Sequence, residues 1–345
     1  MNKTKKILFA GRLVIDNTPC AGEVVKNQLL LRRLKNVFVN VREINLTPLT
    51  RISRKPILYL MLLWNIIKGV DCFFVSTFDE LAEDIISFLR KFGKSSNIYY
   101  WVIGGGFAKR ITFGELNIEN YKGLAQIIVE DIDIENELRK LGVLEVSTVP
   151  NFKPVLSISP CEKKKQNSFL YLARITPLKG CDIILSAART LNRRGLKFTI
   201  DFYGFIEKGY PFEEYIADIP NVNFKGTLSL KSEEDYERLY NNYDALLFPT
   251  YYPNEGFPGT IIDGYMAGLP VITTQWRYNQ HIVEDKKSGW LIPVQDSDSL
   301  AVLMEEIISG KYNLDDIGLY NLKKVRQYDV DALLNDDFFF RLGLI

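Results

Sequence analysis

Two acidic residues, Glu255 and Asp263, frame a Gly256-Phe257-Pro258-Gly259 turn in the run EGFPGTIIDGYMAGLPV. The turn is expected to open into a helix over about 259–267, with Pro258 at its start and Gly268 just past its end. The first turn of such a helix presents backbone N–H groups without intrahelical partners and the positive end of the dipole, so Gly259 and Thr260 can hold an anion. Glu255 lies in the loop ahead of the helix and Asp263 about one turn inside it. One carboxylate can meet one end of a bound molecule and the other its far end, with phosphate at the helix start between them. Asp263 also has a plainer explanation, because an acid early in a helix complements the dipole.

A second charged group lies upstream, in Arg174-Ile-Thr-Pro-Leu-Lys179-Gly180. It follows an expected strand and opens an expected helix. Two cations at the carboxyl edge of a parallel strand suit a diphosphate, Arg174 as a fork and Lys179 as a point charge. The alternative is a pair of solvated loop cations.

Together these segments resemble the retaining glycosyltransferases of GT-B fold, above all family 4 (group 1) with its E-x7-E motif. Under that resemblance Glu255 corresponds to the acid that contacts the donor sugar hydroxyls. Asp263, one methylene shorter than the usual Glu, corresponds to the acid on the ribose. Arg174, Lys179 and Gly180 match the segment that clamps the donor pyrophosphate, with Ala173 replacing its usual Gly. Gly264 stands where the family usually has Ala; a helical Gly costs roughly 1 kcal/mol, which close packing would offset. Further matches follow in family order. Gly204 ends a strand where the family has a Gly-rich turn. Asn223-Phe-Lys-Gly226, with Thr227, resembles the segment near the nucleobase. Ile282-Val-Glu284-Asp285 with Gly289 resembles an E-D-x3-G element. Val149-Pro-Asn151 resembles the segment at the domain junction, with Phe152 replacing a Gly. The resemblance covers residues 126–294 well and the first 120 only loosely.

It implies a donor site built from Arg174, Lys179, Gly204, Gly226, Thr227, Glu255, Gly256, Phe257, Pro258, Gly259, Thr260 and Asp263. It further implies a UDP- or GDP-sugar as donor, a glycan or lipid-linked saccharide as acceptor, retention of configuration, and no required cofactor or metal. The acceptor would sit on the first domain, where Gly22 and Glu23 follow the first strand ahead of a helix. Gly105, within Gly104-Gly-Gly106, is a further acceptor-side candidate; three glycines also serve simply as a strand-ending turn. The triplet is no dinucleotide fingerprint, because it lacks the GxGxxG spacing and the downstream acid.

The elements that must position these residues alternate short apolar runs with amphipathic stretches, the pattern of an α/β protein with parallel sheets. Strands are expected at 6–10, 37–43, 71–76, 98–103 and 125–130, and helices near 24–34, 57–68, 80–92 and 134–141. A Pro150-to-Pro154 stretch and a Ser- and Lys-rich segment at 157–167 read as a linker. The second half has strands at 168–173, 197–203, 222–225, 245–249, 270–273 and 290–294. Its helices are expected near 182–193, 233–240, 259–267, 297–309, 314–326 and 329–342. With the resemblance, this becomes two Rossmann-like doubly wound domains facing each other across a cleft: an acceptor-binding domain over 1–152 and a nucleotide-sugar-binding domain over 153–328. The last helix, about 329–345, is expected to return onto the first domain.

The chain of 345 residues, with 47% hydrophobic and 25% charged residues, is long enough for two ordinary cores. A net charge of +1 argues against a nucleic-acid binder. Cys20, Cys72, Cys161 and Cys181 form neither a CxxC pair nor a zinc pattern, and read as reduced thiols of a cytoplasmic protein. No signal peptide is expected, since residues 1–6 are polar and 7–10 look like a strand. The most apolar run, 57–64, is too short to span a bilayer. Arg51, Arg54 and Lys55 precede it, so two readings stand: a helix dipping into an anionic membrane surface at the inner face, or, favoured on length, a buried helix of the first domain. Asp131-Ile-Asp133 invites a metal-binding DxD reading, but it follows a strand and starts a helix, which helix capping explains. His281 has no nucleophile elbow to serve and is expected to be structural. Two other functions share the fold: a nucleotide-sugar 2-epimerase, which would normally need catalytic acids and histidines, and a non-catalytic sugar-nucleotide-binding relative.

Overall fold

The computed structural model describes residues 3–13, 22–51, 54–158 and 166–345. They divide into two compact units, residues 1–154 with 328–345, and residues 155–327.

The first unit runs β1 (Lys6–Gly11), α1 (Gly22–Val37), β2 (Asn40–Asn45), α2 (Lys55–Ile67), β3 (Cys72–Ser76), α3 (Asp79–Lys91), β4 (Ile98–Trp101), α4 (Phe107–Thr112), β5 (Gln126–Val129), α5 (Ile132–Lys140) and β6 (Val146–Thr148). Its strands form one parallel sheet in the order β2-β1-β3-β4-β5-β6. β3, Cys-Phe-Phe-Val-Ser, and β4, Ile-Tyr-Tyr-Trp, are buried at every position, as continuous apolar strands of a parallel sheet covered on both faces must be. α3 shows why the helices form. Leu81, Ala82, Ile85, Ile86 and Leu89 make one buried stripe, Asp79 and Glu80 occupy the positive end of the dipole, and Arg90 and Lys91 the negative end.

The second unit runs β7 (Ser168–Leu172), α6 (Cys181–Arg193), β8 (Thr199–Tyr203), α7 (Phe212–Ile216), β9 (Val222–Phe224), α8 (Glu233–Asn242), β10 (Ala245–Phe248), α9 (Gly259–Met266), β11 (Val271–Thr274), α10 (Asn279–Ile282), β12 (Gly289–Ile292), α11 (Ser297–Ile308) and α12 (Leu314–Lys324). The parallel sheet order is β12-β11-β10-β7-β8-β9. Ser232 and Asp235 close a reciprocal capping box at the start of α8.

The chain then returns to the first unit. Lys153 pairs with the segment at Asp329, its N–H donating to Tyr328 O at 3.1 Å and its carbonyl accepting from Val330 N at 3.0 Å. Two short helices follow, α13 (Val330–Leu333) and α14 (Asp336–Arg341). The single helix expected at 329–342 is broken because Asn335 caps α14, accepting from Phe338 N. Phe339 sits edge-on to Phe38 at 5.3 Å and Phe338 lies 6.3 Å from Trp101.

Several expectations need correction. β2 starts at Asn40 rather than 37, because α1 continues to a buried Val37 and Phe38 is committed to the core. α1 also starts earlier than expected, so Gly22 and Glu23 form its first turn instead of preceding it. The short α4 and the three-residue edge strand β6 carry too little periodicity to be read from sequence. Most consequentially, α2 is not the buried helix favoured on length. Leu58, Leu62 and Asn65 are its buried residues, while Leu60, Trp64 and Ile67 are 66%, 57% and 68% exposed. Cys72 and Cys181 are free and buried; burial pushes their thiols up to about 11 and about 12. Cys20, Cys161 and part of the linker at 157–167 lie outside the described residues.

Candidate active site

In the second unit the strand order reverses between β7 and β10, and doubly wound sheets bind ligands beyond the carboxyl ends of the strands at such a point. The loops after these two strands carry Lys179 and Glu255. Gly180 lets them meet. Its φ is +86°, and a Cβ there would lie 2.3 Å from the carbonyl oxygen of Pro249, at the end of β10. Tyr251 N then donates to Leu178 O at 2.9 Å, joining the two loops through backbone.

Lys179 Nζ donates to both carboxylate oxygens of Glu255, at 2.7 and 2.5 Å. Glu255 is 7% exposed. The buried Thr250 hydroxyl donates to Glu255 Oε2 at 2.8 Å. The Lys179 ammonium lies 5.0 Å from the ring centre of Tyr252 and 5.5 Å from that of Phe248, where ring quadrupoles favour a cation. Burying either charge alone would be expensive; pairing and the threonine hydrogen bond offset that cost. An ammonium has three donors, and Glu255 takes two of them.

The helix expected after Glu255 is α9, with Pro258 at its N-cap position. Phe257 and Pro258 are buried, Gly256 and Gly259 half-buried. The Thr260 hydroxyl donates to Leu172 O, tying the first turn of α9 to the end of β7. Asp263 is 8% exposed and accepts a hydrogen bond from the Tyr236 hydroxyl at 2.9 Å. Burial and the adjacent Asp263 charge push the Tyr236 phenol well above its ordinary range, so it stays a donor. At Gly264 a Cβ would lie 2.7 Å from Leu246 Cδ2 and 3.1 Å from Val271 Cγ2. α9 therefore presses on β10 and β11, a physical reason for Gly in place of Ala.

Arg174 is half exposed and does not join the Lys179–Glu255 pair directly. Its Nη1 is 3.9 Å from Glu207 Oε1, and its guanidinium carbon 5.6 Å from the Phe205 ring centre. The other Glu207 oxygen accepts from the Thr176 hydroxyl at 2.6 Å. Gly204, at the end of β8, has φ +153° and donates its N–H to Gly226 O at 2.8 Å. A Cβ at Gly204 would fall 1.8 Å from Ala173 O, so β7, β8 and β9 converge there only because the residue is Gly. Thr227 follows on the surface. Glu284 accepts from Tyr320 at 2.8 Å and from Lys324 at 2.5 Å, bonds that fasten α12.

In the first unit the order reverses between β1 and β3. Asn27 donates to Arg12 O at 3.2 Å and to Ser76 O at 3.0 Å, locking α1 to both strand ends. Glu23 Oε2 accepts from Arg12 Nη1 at 3.2 Å, and its other oxygen is buried with no hydrogen-bond partner among the described residues. Burial raises the Glu23 carboxyl above its ordinary range, against the opposing pull of Arg12. No described atom beyond its chain neighbours would come within 4 Å of a Cβ at Gly22, so no close approach requires Gly there. Gly105 follows β4, a different strand end from Gly22 and Glu23; Gly106 is the N-cap of α4, which fits the strand-ending turn. Asp131 caps α5, accepting from Asp133 N at 2.8 Å. His281 is exposed on α10 rather than packed in a core.

Thr250, Tyr236, Tyr252 and Glu207 were not singled out by sequence. A hydroxyl closing a buried strand is the one cue to Thr250; the others carried none.

Residues 157–324 match the family model described as Glycosyl transferases group 1. Over that stretch the chain is similar to group 1 glycosyl transferases. The amylovoran biosynthesis glycosyltransferase AmsK of Erwinia amylovora is 27% identical over 162 residues, 45% of this chain and 39% of that protein. The chain spans about a third to a half of the length of the curated relatives it matches. Two solved structures align over 99% of the chain. Sucrose-phosphate synthase from Thermosynechococcus elongatus superposes over 99% of its length with a TM-score of 0.78 at 16% identity. Anabaena Alr3699/HepE, in complex with UDP and glucose, superposes over its whole length with a TM-score of 0.72 at 15% identity. The architecture is therefore GT-B, with two parallel six-stranded sheets.

Proposed function

We propose that this protein transfers a sugar from a nucleoside diphosphate sugar, UDP- or GDP-linked, to a hydroxyl of a glycan or lipid-linked saccharide, with retention, in surface polysaccharide assembly in the cytoplasm. The observation that carries this is the Lys179–Glu255 pair at the strand reversal of the second unit, beside the start of α9. Bond cleavage leaves growing negative charge on the diphosphate. Lys179, Arg174 and the N–H groups at Gly259 and Thr260 would stabilise it without a metal ion, acting where charge develops rather than on the ground state. Glu255, fixed by Lys179 and Thr250, would orient the sugar hydroxyls. Asp263, steadied by Tyr236, would take the ribose, and Gly204, Gly226 and Thr227 would flank the base. The leaving phosphate would accept the acceptor proton. The related Anabaena structure holds UDP and glucose, which supports a UDP donor. The single histidine argues against an epimerase, which would normally need catalytic histidines.

The test is release of free nucleoside diphosphate from a panel of UDP-, GDP- and ADP-sugars. One donor should turn over, with activity reduced roughly a hundredfold or more by Lys179→Ala or Glu255→Ala, the usual scale for removing a group aimed at developing charge. The anomeric proton of the product, read by NMR, tests retention. Saturable binding without release on addition of saccharide acceptors would instead favour the binding-only relative; failure to bind any nucleotide would overturn the site.

A further inference from the structure

α2 carries an exposed apolar stripe with a consistent helical spacing. Ile57, Leu60, Met61, Trp64 and Ile67 recur at intervals of three and four, the positions of one helix face. They are 52%, 66%, 37%, 57% and 68% exposed. The opposite face, through Leu58 and Leu62, is fully buried in the first unit. A contiguous exposed apolar face of this kind marks an interaction site. Its surroundings indicate the partner. The helix sequence contains no Asp or Glu. Arg51 and Arg54 are exposed at its N-terminal end and Lys68 at its C-terminal end, the Lys68 ammonium 4.7 Å from the Trp64 ring centre. Arg42 of β2 is exposed along the same side, sharing an open groove with Trp64 and Lys68. The acids at the periphery, Asp84 and Glu43, are each paired with a lysine, Lys55 and Lys35. Arg54 donates to Pro48 O at 2.8 Å and Arg42 to Asn65 Oδ1 at 3.5 Å, but neither they nor Arg51 and Lys68 form an ion pair among the described residues, so cations without a counter-charge frame the apolar stripe. Among the described residues no helix is long and apolar enough to cross a membrane, and thirteen residues of α2 span about 20 Å along the surface.

We propose that α2 docks this protein on an anionic bilayer surface, with Leu60, Trp64 and Ile67 entering the headgroup–acyl boundary and Arg42, Arg51, Arg54 and Lys68 reaching lipid phosphates. Interfacial helices combine these features: an apolar face with Trp, basic flanks and no acid. The inference rests on the first unit alone and does not depend on the transfer chemistry.

The experiment is flotation of the full chain with vesicles of phosphatidylcholine, with and without phosphatidylglycerol. The protein should float only with the anionic vesicles, less at high salt, and Trp64 fluorescence should shift to the blue. Leu60→Glu with Trp64→Glu should abolish flotation while leaving the thermal transition unchanged, since both side chains face solvent. Arg54→Gln and Lys68→Gln should each weaken partitioning about fivefold. No flotation of the parent protein, or equal flotation of the double variant, would overturn the proposal. So would a concentration-dependent dimer abolished by the same double variant, which would assign the face to a second copy of the chain.

Discussion

Replacing Lys179 by Met separates the role of the ion pair from general packing. Met keeps an apolar stem but removes the ammonium that lies by the Tyr252 and Phe248 rings, leaving Glu255 buried with Thr250 as its hydrogen-bond partner. Removing one member of a buried pair costs about 3–5 kcal/mol, because the other charge is left uncompensated. The side chains of Lys179 and Glu255 are 16% and 9% exposed, and the Thr250 bond persists, so the low end applies, about 3 kcal/mol. The second unit spans residues 155–327. For a body of that size each kcal/mol moves the melting temperature by about 2–4 °C, so the shift should be roughly 6–12 °C. Glu255→Gln should cost less, about 1–2 kcal/mol, because Lys179 is the more exposed partner and keeps its aromatic contacts. The double variant Lys179→Met with Glu255→Gln should be more stable than Lys179→Met alone, a coupling of at least about 1 kcal/mol. Denaturant titration followed through Trp276 and Trp290, both in the second unit, measures all four corners of the cycle. Single-variant costs below about 1 kcal/mol that simply add would refute the buried-pair argument.

Three further outcomes are expected. Gly204→Ala drives a Cβ into the Ala173 carbonyl at 1.8 Å, so it should destabilise the second unit by at least about 3 kcal/mol and weaken nucleotide binding; a cost under about 1 kcal/mol in urea titration would show that the backbone moves freely there. Tyr236→Phe withdraws the hydrogen bond to the buried Asp263, which should cost about 1.5–3 kcal/mol and raise the donor KM more than it lowers kcat; an unchanged KM would separate Asp263 from the donor. Hydrogen bonds from Lys324 and then Tyr320 hold the Glu284 carboxyl below its ordinary 4.5. A depressed acid stabilises above its unfolded value and loses that contribution as pH falls through the folded value. Stability should therefore decline below about pH 4.5 and decline less in Glu284→Gln, a small effect because the carboxylate is partly exposed; identical acid limbs in the two proteins would contradict it.

The order of strands and helices in the second unit was largely legible because its strands are short apolar runs bounded by Gly, Pro and polar residues, and its helices carry caps such as Ser232 and Asp296. The first unit was harder. Val37 and Phe38 are β-forming residues, yet they close α1 and fill the core, so tertiary packing overrode local preference. The terminal segment reads as one amphipathic helix, but Asn335 begins a new one inside it. Apolar length suggested that α2 was buried, whereas the angular position of each side chain, not the total hydrophobicity, set its exposure.

Glu255, Asp263, Arg174 and Lys179 could be picked out from sequence because residue type and spacing along one chain constrain local loops and helix starts. Which charges meet could not. Lys179 and Glu255 are 76 residues apart, and they pair because β7 and β10, distant in sequence, are neighbours at the strand reversal, where Gly180 admits the carbonyl of Pro249. Arg174, five residues from Lys179, turns instead to Glu207. Spacing along the chain determined the candidates; sheet order, burial and the exclusion volume of backbone atoms decided their partners.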